Sequence, residues 1–145
     1  MARVSCQAKN YYCPGDLTYH YKSDLPKSLQ PYVDYLFSSG SCIGDDFKSF
    51  NTKFKSAVKK QLPEGFEIHS WNRGHYYCSA VIKTPSNNFI FMSIGDVRWC
   101  INEWFENILY RTMKNETDWT GGNNHYASLF NLGEAIKKLE EKQYA

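Results

Sequence analysis

Residues 45–62 carry the clearest hydrophobic pattern in the chain. Asp45 and Asp46 stand at its start, and lysines separate apolar residues that recur at steps of three and four. This spacing predicts an amphipathic helix, whose acidic start and basic end suit the helix dipole and which Pro63 should end. The apolar positions are Phe47, Phe50, Phe54, Val58 and Leu62.

Helical spacing recurs in two other segments. Residues 128–143 carry one apolar stripe, which predicts a C-terminal amphipathic helix. Residues 26–37 predict a helix of about three turns, with Pro31 in the first turn, where its missing amide hydrogen does no harm. The C-terminal stripe consists of Leu129, Leu132, Ala135, Ile136 and Leu139.

Between about residues 66 and 94 the apolar period changes to two, which is typical of strands. Segments 66–71, 75–84 and 89–94 alternate, and turn-forming residues lie between them. They predict an antiparallel three-stranded meander with helices or an N-terminal hairpin on each side, because both faces are apolar. With the amphipathic helices, this pattern predicts a single α+β domain over residues 1–145.

Two segments are less regular. Residues 101–113 favour a partly helical conformation, although residues 108–110 could equally form a short strand. Residues 4–22 favour a hairpin, because a turn sequence around Pro14 and Gly15 separates two tyrosine-rich stretches.

The predicted turn lengths place His69 opposite Tyr77 and Trp71 opposite His75 on neighbouring strands. Four ring-bearing side chains would then share one face. Such a cluster is a candidate partner-binding surface, a platform for stacking bases or half of a metal site, although zinc needs more ligands. The alternative is a partly buried aromatic cluster with ordinary histidines, and we expect no metal.

Composition adds to this picture. Aromatic residues make up 17% of the 145 residues, so part of their area is expected to form a contact surface. The net charge of +2 is too balanced to favour direct binding of nucleic acid. The five cysteines show no C-x-x-C pair, and no apolar run approaches the length of a membrane span. We therefore expect free thiols and a cytoplasmic location.

Residues 111–125 gather polar, charged and glycine residues between two apolar segments. The glycines reach positive φ without strain, so successive backbone amides could point at one anion, such as a nucleotide phosphate. In the alternative, Asp118 pairs with Arg111 or Arg98 and the segment is a structural latch. The candidate ligand-binding residues are Arg98, Arg111, Asp118, Thr120, Gly121, Gly122 and His125.

The sequence assigns no catalytic residue. It contains no G-x-S-x-G nucleophile motif, and Cys78 and Cys100 have apolar neighbours that favour a place in the core. Glu103 and Glu106 have the spacing of a solvated helix face rather than that of an acid and base pair.

Three short motifs, Asp96-Val97-Arg98, Arg111-Thr112 and the run from Asp118 to Asn123, carry a resemblance to known proteins. Over about residues 89–132 the chain resembles small accessory proteins of bacteriophages and mobile elements of Gram-positive bacteria, a group of unknown activity. The resemblance implies a small protein of the host cytoplasm, and some such proteins bind and block host defence complexes.

We therefore expect a non-enzymatic interaction protein that binds and blocks a host protein or ribonucleoprotein, as anti-CRISPR-like inhibitors do. No cofactor and no membrane contact are expected. The alternative is a small-ligand protein that binds a nucleotide or other anion at residues 111–125, with hydrolytic chemistry left open.

Overall fold

The computed structural model describes residues 3–4, 20–37, 45–118, 120 and 122–144. Their helices and strands form an α+β architecture, as the sequence predicts. Short 3-10 turns cover Lys22–Asp24 and Gln30–Tyr32. The elements in chain order are β1 (Arg3–Val4), β2 (His20–Tyr21), α1 (Asp45–Gln61), β3 (Glu67–Arg73), β4 (Cys78–Lys83), β5 (Phe89–Ile94), α2 (Glu103–Glu106), β6 (Ile108–Thr112), β7 (His125–Ala127) and α3 (Leu132–Tyr144).

The sheet is larger than the predicted meander. Its strands run antiparallel in the order β3-β4-β5-β6-β7, and the first three are the predicted ones. The expectation of three strands is therefore wrong in number, because residues 108–112 and 125–127 add two more. The segment expected to be partly helical forms only one turn of helix, α2, and Ile108 then starts β6. Residues 111–125 thus make the connection of a hairpin rather than a free loop.

The pairing of β3 with β4 differs from the predicted register. Trp71 pairs with Ala80 and Arg73 pairs with Cys78, so neither Tyr77 nor His75 lies opposite β3. Two local features cause the shift: a bulge between Ile68 and Ser70, and a turn over residues 74–77 in which Tyr76 has φ 64°. A bulge adds an unpaired residue and moves every later side chain relative to its neighbours.

The corrected register defines two faces of the sheet. Cys78, Ala80 and Ile82 pair with Ile94, Met92 and Ile90, and all six are buried on what we call the inner face. Helix α1 packs there, since Asn51 Oδ1 accepts hydrogen bonds from Trp71 Nε1 at 2.9 Å and Cys78 Sγ at 3.1 Å. We call the opposite side the outer face. Its strand residues include Ser70, Asn72, Ser79, Val81, Phe91 and Ser93.

The prediction of helix α1 is confirmed. The helix covers the expected residues, and its apolar stripe is buried. Phe47, Phe50, Phe54 and Val58 are buried, and the helix ends two residues before Pro63. The rings of Phe50 and Phe54 meet Trp104 of α2 at centroid distances of 5.2 and 6.1 Å. Burying such rings supplies much of the driving force for folding a small domain.

Helix α3 is also confirmed, but it begins four residues later than predicted. Asn131 Oδ1 accepts from both the amide and the hydroxyl of Ser128, which holds the chain in a turn before Leu132. A side-chain acceptor at this position competes with helical hydrogen bonding. The apolar stripe from Leu129 to Leu139 is otherwise buried or half-buried as expected.

The predicted helix over residues 26–37 is wrong. Only a 3-10 turn at Gln30–Tyr32 forms, and Asp34 adopts a left-handed φ of 59°. Asp34 is held there by a reciprocal contact: its amide donates to Asn102 Oδ1 at 2.8 Å, and Asn102 Nδ2 donates to Asp34 Oδ1 at 2.7 Å. A long-range partner therefore overrides the local helical spacing.

The predicted N-terminal hairpin is described only at its ends. Arg3 pairs with Tyr21 and Val4 with His20, as a hairpin requires. The expected turn around Pro14 lies outside the described residues.

Candidate functional site

Side chains of residues 115–120 accept hydrogen bonds from amides of the same segment. Asn115 Oδ1 accepts from the amides of Thr117 and Asp118, each at 3.0 Å. Asp118 Oδ1 in turn accepts from the amide and hydroxyl of Thr120. These hydrogen bonds from Thr120 hold the pKa of Asp118 below its usual value. The amide of Thr120, which was expected to face a ligand, therefore already has an acceptor within the segment.

The latch between Asp118 and an arginine does not form either. Arg98 makes a two-pronged contact with Asp96, at 2.7 Å from Nη2 to Oδ2 and 3.0 Å from Nε to Oδ1. The segment instead reaches across the sheet through a different pair, Glu116 and His69, whose oxygen and Nε2 are 3.1 Å apart.

Arg111 keeps unused hydrogen-bonding capacity. Its guanidinium lies 5.6 Å from the centre of the Phe91 ring, and Nη1 donates to Asn124 Oδ1 over a long 3.4 Å. Its Nε is buried, with no acceptor among the described residues. A guanidinium has five N–H donors, so this side chain can still bind an anion.

The remaining members of the predicted ligand set do not converge on Arg111. His125 pairs with Tyr110 and its ring lies 5.4 Å from the tyrosine ring, in a separate concavity of about 480 Å³ beside α3. Gly122 has φ 73° and lies against Thr112, where a side chain would clash with the threonine hydroxyl. Trp119 and Gly121 lie outside the described residues.

The four predicted partner-binding residues are also dispersed. Trp71 packs under α1, with its ring 5.9 Å from that of Phe54. His69 lies at the bulge of β3, with its ring 5.2 Å from that of Phe89. His75 and Tyr77 belong to the turn before β4, at the other end of β3. The expected shared face is wrong, because it depended on the incorrect register.

A concavity of about 530 Å³ lies on the outer face. Two rungs of the sheet form its floor: Ser70, Val81 and Phe91 are cross-strand neighbours, and so are Asn72, Ser79 and Ser93. On the next strand, β6, Arg111 pairs with Phe91 and Leu109 pairs with Ser93, so both residues lie beside this lining. The lining among described residues comprises Ser70, Asn72, Tyr77, Ser79, Ala80, Val81, Phe91, Ser93 and Ile94. The predicted turn lengths do not anticipate this grouping, which follows from the observed pairing of β4 with β5.

A second unpredicted feature is the Trp99 surface, which we define as Tyr35, Leu36, Tyr77, Arg98 and Trp99. Among the described residues, the exposed large hydrophobic side chains are the four apolar members of this set, and Trp99 is 74% exposed. Arg98 contacts both the Tyr76 ring, at 4.3 Å, and the Trp99 ring, at 5.8 Å.

A series of ring contacts leads from Tyr35 to Tyr76, whose ring lies against Arg98. Tyr35 contacts Phe37 at 4.7 Å between ring centres, Phe37 contacts Phe47 at 6.2 Å, and Phe47 contacts Tyr76 at 5.3 Å. The exposed residues before α1 are therefore at the same end of the molecule as the turn before β4 and the turn after β5. The sequence does not predict that these residues lie at one end of the molecule, since the contributing segments are far apart in the chain.

Glu106 is the main buried charge-bearing group. It is 4% exposed, so the expectation of a solvated helix face at Glu103 and Glu106 is wrong for this residue. Burial, with added repulsion from Asp34 and Glu103, raises its pKa to about 8. Burial likewise raises the pKa of the Cys78 and Cys100 thiols to about 12, which disfavours the reactive thiolate.

Comparisons with protein-family models, curated proteins and solved structures find no match to this chain. In the described part of the chain, no three or more His, Cys, Asp and Glu side chains group as metal ligands would. No helix among the described residues combines the length and hydropathy needed to cross a membrane.

Proposed function

We propose that this chain is a non-enzymatic interaction protein of a phage or mobile element, which acts in the host cytoplasm by covering a functional surface of a host protein or ribonucleoprotein. The origin and the location rest on the resemblance over residues 89–132. The interaction role rests on the Trp99 surface.

The observation that carries the proposal is the exposure of Trp99 next to a fixed arginine. Asp96 holds the guanidinium of Arg98 with two hydrogen bonds, and Tyr76 lies against it, so little rotamer freedom remains to be lost on binding. Trp, Tyr and Arg are the residues most enriched at the energetic centres of protein interfaces. A rigid arginine beside an exposed tryptophan is suited to that use.

The rest of the Trp99 surface supplies area around this centre. Leu36 is 65% exposed, and Tyr35 and Tyr77 are 38% and 39% exposed. Large apolar side chains that are exposed together at one end of a folded molecule often mark a surface that a partner covers. The nearly balanced net charge of +2 gives no strong preference for a polyanionic partner.

The test is affinity capture from lysates of Gram-positive hosts, with tagged wild-type protein and two surface variants. We expect one stoichiometric partner with the wild type. Trp99→Ala should weaken its binding by about tenfold or more, and Leu36→Ala by a smaller factor. Binding of the purified partner is then measured by calorimetry.

Lys60→Ala is the matched control, because this exposed side chain lies at the opposite end of α1 from Asp46, whose carboxylate contacts Tyr35. It should bind like the wild type. The proposal fails if wild-type protein is recovered alone from every host lysate, or if Trp99→Ala and Leu36→Ala retain full affinity.

A further inference from the structure

We propose that the concavity on the outer face is a binding site for a nucleotide, with the base between Tyr77 and Phe91 and the phosphate at Arg111. This site shares Tyr77 with the Trp99 surface, but its other contacts lie on the outer face and it does not depend on the proposed interaction role. It also differs from the anion nest expected in residues 111–125, with which it shares only Arg111.

The size of the concavity fits one such ligand. Its volume of about 530 Å³ is within the range of small-molecule sites, which is roughly 300–1,000 Å³. Small side chains leave this space open, because serine occupies the outer-face position on β3, β4 and β5 alike. The three are Ser70, Ser79 and Ser93.

The floor offers the hydrogen bonds that a base edge needs. Asn72, Ser79 and Ser93 lie in consecutive strands of one rung. A serine hydroxyl donates and accepts, and an asparagine amide does both at once, so the rung can match the mixed donor and acceptor pattern of a base. A purely apolar ligand would leave these groups unpaired, which costs free energy.

Two aromatic rings flank this rung. Tyr77 is 39% exposed, and its ring lies directly on Gly74, where a Cβ atom would be 2.1 Å from the tyrosine Cζ. Phe91 is half-buried on the neighbouring rung. Aromatic side chains stack on the planar faces of bases, a contact that every base can make.

Charge selects a phosphorylated ligand over an uncharged one. Arg111 follows Phe91 in the same rung, and its guanidinium lies at the Phe91 ring. Its Nε lacks an acceptor among the described residues, and its one hydrogen bond is the long contact to Asn124. The donor fork of a guanidinium suits a phosphate, which would satisfy a group that the folded chain leaves incomplete.

The segment after β6 lies beside Phe89 and His69, outside the lining of the concavity. Met113 is buried and its amide donates to the Phe89 carbonyl at 3.1 Å. Beyond it, Glu116 meets His69, whose ring lies against Phe89. The polar segment of residues 111–125 therefore borders the outer face. Ligand binding on that face should change the amide chemical shifts of residues 113–118.

The experiment is a titration of the full chain with adenosine, guanosine, cytidine and uridine 5′-monophosphates, followed by amide chemical shifts and by calorimetry. We expect at least one nucleotide to shift the amides of Ser79, Ser93 and Arg111. Ser79→Val and Ser93→Val should weaken binding by up to about tenfold, because each removes a hydroxyl while favouring the strand.

Arg111→Gln should remove the preference for a nucleotide over its nucleoside, again by about tenfold. Arg73→Gln is the matched control, since Arg73 is exposed and pairs with inner-face Cys78. Trp99→Ala should bind nucleotide normally, which separates this result from that of the capture experiment. Thermal melts of every variant confirm that it folds.

Several outcomes overturn the site. No shift with any nucleotide at millimolar concentration removes it, and so does binding that survives both Ser93→Val and Arg111→Gln. If inorganic phosphate alone binds as well as a nucleotide, the base contacts are wrong. If a single-stranded oligonucleotide binds while mononucleotides do not, the ligand is a strand and the proposal of a nucleotide site fails.

Discussion

Glu106 illustrates how one side chain can make stability depend on pH. It is almost fully buried, and Asp34 and Glu103 add negative charge nearby. Its pKa of about 8 compares with an ordinary value of 4.5, so the folded protein retains a proton that the unfolded chain releases. Between these values the folded state binds more protons than the unfolded state.

We therefore predict that the free energy of unfolding contains a contribution from Glu106 that is complete below pH 4.5 and is lost as the pH rises to about 8. Glu106→Gln mimics the protonated form and should lack this loss. Urea denaturation from pH 5 to 9 should show a variant that gains on the wild type by on the order of a few kcal/mol.

Glu134→Gln provides the control for Glu106→Gln, because Glu134 is an exposed carboxylate in the first turn of α3. Its stability curve should run parallel to that of the wild type. A parallel curve for Glu106→Gln as well would show that Glu106 ionises normally in the folded protein.

The side-chain oxygen of Asn51, on α1, accepts hydrogen bonds from residues of β3 and β4. Oδ1 accepts from Trp71 Nε1 and Cys78 Sγ, and Asn51→Ala would leave the half-buried indole N–H without this acceptor. We predict a loss of about 1–3 kcal/mol in the free energy of unfolding, measured by urea denaturation. The neighbouring Thr52→Ala removes an exposed hydroxyl and should change it little. Equal losses in both variants would show that the hydrogen bonds to Asn51 Oδ1 are not the source of the effect, since alanine has the higher helix propensity at either position.

At the scale of elements, the contact between α1 and α3 depends on Gly133. A Cβ atom there would lie 2.0 Å from the carbonyl oxygen of Gln61, so the start of α3 packs directly on the backbone at the end of α1. Helix propensity alone would favour alanine at this position by about 1 kcal/mol.

Because overpacking opposes this gain, we predict that Gly133→Ala lowers the free energy of unfolding by about 1–3 kcal/mol. Glu134→Ala at the adjacent exposed position should have little effect. Chemical denaturation of both variants decides the sign. A more stable Gly133→Ala would mean that the two helices can separate without cost.

The elements also show which local patterns were sufficient. The period in α1 and α3 is read correctly because one whole face of each helix is buried along its length. Residues 26–37 have similar spacing, but Asp34 finds Asn102 far along the chain and leaves the helical conformation. The sequence of β6 does not distinguish a helix from a strand, because short apolar segments fit both.

At the scale of the whole molecule, one core joins segments from Leu25 to Leu139. Helix α1 contacts both α3 and β3, and α3 contacts β6, so no part of this core is independent. We predict one cooperative unfolding transition with coincident midpoints for far-ultraviolet circular dichroism and tryptophan fluorescence. Two separate midpoints would indicate two folding units.

The sequence by itself determined the α+β class, the two long helices and the first three strands of the five-stranded sheet. These features follow from the 3.6- and two-residue periods, which depend on neighbours in the chain. It also marked Arg111 as a candidate ligand residue, since an arginine in a polar segment after an apolar one is visible without a fold. It did not determine which residues meet.

Tertiary structure decided the sites. A bulge at His69 and a turn at Tyr76 set the register, and register alone decides which side chains share a face. That placed Ser70 and Asn72 beside Val81 and Ser79, and the pairing of β4 with β5 added Phe91 and Ser93 to the same concavity. Long-range packing likewise gathered Tyr35, Leu36 and Trp99 at one end. Such groupings join residues far apart in the chain, so no local period can specify them.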